Sequence, residues 1–99
     1  MSRLLDDAEL VRLLSELPGW ERAGESIHRS LKAPDFPTAI RIVDEIAVDA
    51  EEMNHHPDID IRWRNLDLTL STHSAGGLTQ LDIELAHRIS AIAATHDAH

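Results

Sequence analysis

From Ile59 to Leu70, apolar and polar residues alternate on both sides of a short break. Ile59, Ile61 and Trp63 interleave with Asp60, Arg62 and Arg64, and Leu66, Leu68 and Leu70 interleave with Asp67, Thr69 and Ser71. Successive side chains of an extended strand point to opposite faces, so each run reads as a strand with one apolar face. Two such runs predict an antiparallel hairpin with a two-residue turn at Arg64–Asn65. Pairing outward from that turn sets Trp63 against Leu66, Ile61 against Leu68 and Ile59 against Leu70 on one face, with Arg62 against Asp67 on the other. A slip of one residue would turn one apolar set to solvent. Continued further, this register brings His56 opposite His73. Pro57 has no N–H to give to the ladder and loosens the pairing first, so proximity is expected rather than a defined contact.

A two-stranded ribbon needs a partner layer for its apolar face. The segment "DDAELVRLLSEL" reads as a helix, with Asp6 and Glu9 at capping-box spacing. Leu10, Val11, Leu13, Leu14 and Leu17 form its apolar face, and Pro18–Gly19 ends it. "WERAG" and "SIHRSLKA" read as two short strands around a turn at Gly24–Glu25. Asp35 caps a second helix from Phe36 to about Asn54, with Pro37 tolerated in its first turn. Phe36, Ala39, Ile40, Val43, Ala47 and Ala50 recur there at helical spacing, with Ile42, Ile46 and Met53 widening the stripe on one flank. Gly76–Gly77 allows a sharp change of direction. Thr79 and Asp82 then repeat the capping-box spacing before a third helix with Leu81, Leu85, Ile89 and Ile92 on its buried side. The order α-β-β-α-β-β-α is that of an α+β domain: a four-stranded antiparallel sheet with three helices packed on one face. Residues 1–99 are expected to form a single domain, because a chain of 99 residues holds one core.

Composition narrows the function. Aromatic residues are 3% of the chain, so the core must be built from Leu, Ile, Val and Ala. Cysteine is absent, which removes disulfides, thiolate nucleophiles and cysteine-ligated zinc. No apolar run approaches the roughly 20 residues of a membrane span, and no signal peptide is recognisable, so a cytoplasmic location is expected. Nine basic against eighteen acidic residues give a formal charge of −9, a field that repels phosphate backbones and argues against nucleic-acid binding.

The residues that carry chemistry are His55 and His56, set against Pro57, together with His73. Imidazole exchanges protons near neutral pH, so a cluster of them suits paired acid and base work. Glu51 lies one helical turn before His55 and can orient an imidazole. Two plainer readings stay open: histidines that cap a helix and decorate a loop, or a metal site. No HExxH or comparable ligand spacing supports the second, so no metal is expected. Asp82 reads first as a helix cap, Trp63 as core or cleft wall, and Ser71 and Thr72 as strand residues able to hydrogen-bond a ligand. His28, His87, His96 and His99 have no clustered partners and read as surface residues.

"EEMNHHPD", the aromatic-bearing strand, "STH" and "GGLTQLD" together resemble the pterin-4a-carbinolamine dehydratase family. The match runs through Glu51, His55, His56, Pro57, Trp63, Thr72, His73, Gly77, Leu78, Thr79 and Asp82, with Gly19–Trp20 and the helix around Phe36 as further family features. The chain departs from the family at Ile59, where an aromatic is usual. The resemblance implies the same α+β fold, usually as a homodimer or homotetramer. It implies a hydro-lyase, 4a-hydroxytetrahydrobiopterin dehydratase, which removes water from a 4a-hydroxytetrahydropterin to give quinonoid dihydropterin. Pterin is then the substrate, no cofactor or metal is used, and recycling serves aromatic amino acid hydroxylases. His55, His56 and His73 become the catalytic histidines. His55 and His73 take the acid–base work and His56 mainly binds substrate, with Glu51, Trp63, Ser71, Thr72 and Asp82 binding or supporting. Some relatives act as binding or assembly proteins, so a non-catalytic module that stabilises a partner protein is the alternative.

Overall fold

The computed structural model describes residues 3–99. Its elements are α1 (Asp7–Leu14), β1 (Glu21–Ala23), β2 (Ser26–Lys32), α2 (Phe36–Met53), β3 (Asp58–Arg62), β4 (Asn65–Leu70) and α3 (Gln80–Thr95), with one 3-10 turn at His73–Ala75. This is the α-β-β-α-β-β-α order of an α+β fold. An oxygen-bearing cap starts each helix, as the spacing predicts. Asp6 accepts the Glu9 N–H at 2.8 Å while Glu9 accepts the Asp6 N–H at 3.0 Å, closing a capping box. The Arg3 guanidinium, bonded to the same Glu9, holds that carboxyl down to about 2. Asp35 accepts the Thr38 N–H at 2.8 Å, and Thr38 holds the Asp35 carboxyl below its usual range. α1 is shorter than the apolar pattern suggests. It ends at Leu14, and Leu17 is reached through tight turns.

The four strands form one antiparallel sheet in the order β1-β2-β4-β3. Ile27 and Leu31 of β2 and Leu66, Leu68 and Leu70 of β4 point to one face and are buried. Ile42 and Ile46 of α2, and Ile83, Leu85 and Ile89 of α3, belong to the same apolar cluster. Each such side chain contributes about 1.5–3 kcal/mol by leaving water. The other face stays polar. There Ser30 donates to Asp67 at 2.5 Å, and His28 lies 3.6 Å from the same carboxylate. His96 contacts Glu45 across helices. His28 and His96 are therefore paired, not the unpartnered surface groups that their sequence context suggests.

The hairpin turns at Trp63–Arg64, one residue earlier than expected. Arg62 pairs with Asn65, Ile61 with Leu66 and Ile59 with Leu68. The apolar face is kept, because this register differs from the expected one by two residues and preserves side-chain parity. Asp60, not Arg62, faces Asp67, and Arg62 bonds Asp60 instead at 3.2 Å. Trp63 leaves the sheet altogether: it is 65% exposed, adopts φ 57°, and stacks beneath the Arg64 guanidinium at 4.6 Å. Tertiary contacts place the turn. The Ala33 N–H donates to Arg64 O at 2.9 Å, and Arg64 reaches Pro34 O at 3.2 Å.

The helical stripes are also rotated from those expected. On α2 the buried line is Ala39, Ile42, Ile46 and Ala50, while Phe36 and Ala47 face outward. On α3, Leu85 and Ile89 are central as expected, with Asp82, Ala86 and Ala93 beside them and Leu81 and Ile92 only partly buried. On α1, Val11 is 73% exposed. Ile46→Ala should therefore cost about 2–5 kcal/mol of folding stability. Val48→Ala, at a residue 66% exposed on the same helix, should stay within about 0.5 kcal/mol. Urea unfolding of both variants checks this; equal losses would contradict the burial of this stripe.

Candidate active site

The end of α2 delivers the two adjacent histidines to different environments. Asn54 adopts the left-handed conformation at φ 51°, which a helix C-cap favours, and the His55 N–H bonds back to Ala50 O at 3.0 Å. The reversal tucks His55 inward, where it is 8% exposed, and leaves His56 outside. His55 Nε2 lies 2.6 Å from Asp82 Oδ1. Asp82, wholly buried, is the third residue of α3, and its Oδ2 accepts the Thr79 N–H at 2.9 Å and the Thr72 hydroxyl at 2.7 Å. The cap reading of Asp82 is correct but incomplete, since the same carboxylate orients His55.

An ionised carboxylate can only accept, so a hydrogen bond from His55 to such a group requires the proton on Nε2. Arg64 Nε is the sole fully buried side-chain nitrogen or oxygen without a partner among the described residues. His55 as a residue is 8% exposed, and its second ring nitrogen, Nδ1, takes no part in this network. A histidine with one nitrogen on a buried carboxylate and the other outside that network is the arrangement of a positioned acid–base group.

His56 pairs with Glu51, Nε2 to Oε2, at 2.5 Å, and both side chains are more than half exposed. Glu51 thus orients His56 rather than the histidine one helical turn away. His73 lies beyond β4, at the start of the 3-10 turn, and is exposed; it does not continue the polar face of that strand. The turn is closed by Ala75 and Gly76 N–H groups donating to Thr72 O, each at 3.0 Å, with Gly76 at φ 76°. His73 consequently follows directly on Thr72, which is bonded to Asp82. No ladder pair sets His56 against His73, because β3–β4 pairing stops at Asp58 and Thr69.

Ser71 donates to Glu25 O at 2.8 Å, tying the β1–β2 turn to the end of β4. Trp63 stands at the opposite end of the hairpin from His56, so within one chain it is not part of this cluster. Two clefts, of about 490 and about 390 Å³, lie elsewhere, and none of the three histidines lines them. Thr79 is the contributor that sequence reasoning left as a cap alone.

The two histidine–carboxylate pairs differ in burial, and that sets what each is worth. Asp82→Ala should destabilise the fold by about 3–5 kcal/mol, because it strips the partner from a buried imidazole and removes the α3 cap. Glu51→Ala should change stability by about 1 kcal/mol or less, since exposed ion pairs contribute little. Chemical denaturation of both variants checks the contrast; a mild Asp82→Ala would refute it.

Comparison with known proteins spans most of the chain. A family model described as pterin 4 alpha carbinolamine dehydratase matches residues 3–92. A protein of Nocardia farcinica that carries the family's name is 52% identical over 92 residues, covering 93% of this chain and 97% of its own. One from Mycobacterium tuberculosis is 48% identical over 89 residues, covering 90% and 95%. A crystal structure from Brucella melitensis, described as a transcriptional coactivator/pterin dehydratase, superposes with TM-score 0.89 at 39% identity over 92% of this chain and 99% of that one. A pterin dehydratase-like protein identified as a RuBisCO assembly factor in the alpha-carboxysome shares the fold, at TM-score 0.65 and 20% identity over 76% and 89%. On the strength of these matches over nearly its whole length, the chain belongs to the pterin 4 alpha carbinolamine dehydratase family.

Proposed function

We propose that this chain removes water from a 4a-hydroxytetrahydropterin to give quinonoid dihydropterin, by histidine acid–base chemistry. The observation that carries the reading is the His55–Asp82 pair: a buried carboxylate holds one ring nitrogen at 2.6 Å and leaves the other outside its hydrogen-bond network. A hydroxyl at C4a leaves poorly as hydroxide. An acid must protonate it while the N5 lone pair expels it, and a base must then take the N5 proton. His55 through Nδ1 and His73 on its turn divide that work, and His56, held by Glu51, binds the substrate. Reduction of the product would return the pterin to an aromatic amino acid hydroxylase, in a cytoplasmic setting. The family membership and the intact set of three histidines support this assignment.

The alternative is a non-catalytic partner-stabilising module on the same fold. Turnover by the purified chain, with no partner added, discriminates the two. His73→Ala should lower turnover roughly 10²–10⁴-fold after subtraction of the uncatalysed rate. The same change should leave stability within about 0.5 kcal/mol, since the side chain is exposed. His87→Ala, an exposed helix histidine outside the cluster, serves as the control. If His73→Ala and His55→Ala both keep wild-type turnover, the histidines are not the active site and the binding-module reading gains.

Two further expectations belong to this reading. The proposed steps are proton transfers, so exhaustive chelation should leave turnover unchanged; activity lost and then restored by one divalent ion would revive a metal role. Among the described residues β3 is an edge strand, with Ile61 exposed on it and Trp63 exposed in the turn that follows. Self-association into a homodimer or homotetramer would cover that edge. Light scattering at micromolar concentration should report such a species, and a clean monomer would refute it.

A further inference from the structure

Behind His55 lies a set of hydroxyls whose hydrogen-bond directions follow from counting protons. Thr72 Oγ1 is 2.7 Å from Asp82 Oδ2 and 2.8 Å from Thr79 Oγ1, while Thr79 Oγ1 accepts the Leu81 N–H at 3.2 Å. Thr72, Thr79 and Asp82 are all buried away from bulk solvent, and each makes its hydrogen bonds within the group. A threonine hydroxyl has one proton to give and two lone pairs to accept with. An ionised Asp82 has no proton, so Thr72 must donate to it. Thr72 then has nothing left for Thr79, and the proton in that contact comes from Thr79. The reverse assignment would bury two acceptors at 2.7 Å with no hydrogen between them.

The result is a single polarised chain: Leu81 N–H to Thr79, Thr79 to Thr72, Thr72 to Asp82. Together with the Thr79 N–H, it gives Oδ2 two donors. Oδ1 is left to one partner, His55 Nε2. A carboxylate held on one oxygen by two donors cannot rotate without breaking both, so its other oxygen faces His55 in a fixed direction.

We propose that Thr72 and Thr79 are positioning residues for His55: their hydroxyl chain locks Asp82 and thereby fixes the Nε2–H tautomer of His55. Nδ1 is left as the nitrogen that meets the substrate. The Thr72 hydroxyl is committed inward and supports the site from behind. This inference rests on the dehydratase reading only for its kinetic consequence; the tautomer is a property of the chain whatever it catalyses.

The test uses the full chain, with ¹⁵N-labelled histidine followed by two-bond proton–nitrogen NMR. Wild-type His55 should appear as the Nε2–H form with a slowly exchanging Nε2 proton. Thr72→Val, which removes the donor at nearly constant volume and is outside the α3 cap, should speed that exchange or bring in the other tautomer. It should also lower kcat about 10- to 100-fold, as for loss of an outer partner that orients a working imidazole, with KM within about twofold. Thr72→Ser should restore both readouts. A wild-type spectrum showing the Nδ1–H form would overturn the proposal. So would a Thr72→Val variant with wild-type exchange and kcat, or a Thr72→Ser variant as impaired as Thr72→Val, which would assign the effect to packing of the methyl group. If Thr72→Val does not fold, the wild-type tautomer and the Thr72→Ser variant still decide. Absence of turnover in the wild type would remove the dehydratase reading, while the NMR result would still decide the positioning role.

Discussion

The Asp82 carboxylate is the interaction on which the rest of the site depends. Burying a charge of this kind carries an effective penalty of several kcal/mol unless its oxygens are met by well-placed donors. Here the donors come from three parts of the chain: the turn after α2 supplies His55, the exit of β4 supplies Thr72, and the start of α3 supplies the Thr79 N–H. Satisfying one side chain therefore fixes three segments against one another. The N-terminus of a helix also favours an anionic group, so the position that caps α3 is a suitable one for a buried carboxylate. Capping and site-building are the same act at this residue.

His55 and His56 are neighbours in sequence yet serve opposite surroundings, and Asn54 is the reason. Its left-handed backbone ends α2 and reverses the chain within one residue, and Pro57 then commits the backbone to β3. One imidazole is turned under the helix end onto Asp82, and the next is left in solvent beside Glu51. A buried pair is held in one arrangement, whereas an exposed one can adjust.

Much of the fold was legible because its signals are local. The caps at Asp6, Asp35 and Thr79 depend only on residues within one helical turn, and each is found where the spacing placed it. The alternation in β3 and β4 is equally local. The rotated stripe on α2 was less legible, because Phe36, Val43 and Ala47 follow the same periodicity as Ile42 and Ile46, and only the neighbouring α3 and sheet decide which line is buried. Of the candidate site, the sequence showed the residue types but not their partners. Glu51 is within helical reach of both histidines, and the choice of His56 depends on a backbone reversal that spacing does not reveal.

Two of the departures share one physical cause. Alternation specifies parity, the face on which each side chain lies, but any register shifted by two residues satisfies it equally. The choice among those registers falls to contacts distant in sequence: Ala33 and Pro34, just after β2, bind Arg64 and draw the turn to Trp63–Arg64. Moving the turn one residue toward the N-terminus excludes Trp63 from the sheet. It also pairs Asp58 with Thr69, two residues short of Ser71, while Leu70, paired with Ile27 of β2, is the last residue of β4. The backbone after it is then free to bend at Thr72 and Gly77, which bridge each other and carry His73 out on the intervening turn. The exit of His73 from the sheet is settled locally: the Thr72 and Gly77 N–H groups each donate to the other residue's carbonyl, at 2.9 and 3.3 Å, and the turn between them carries the histidine outward.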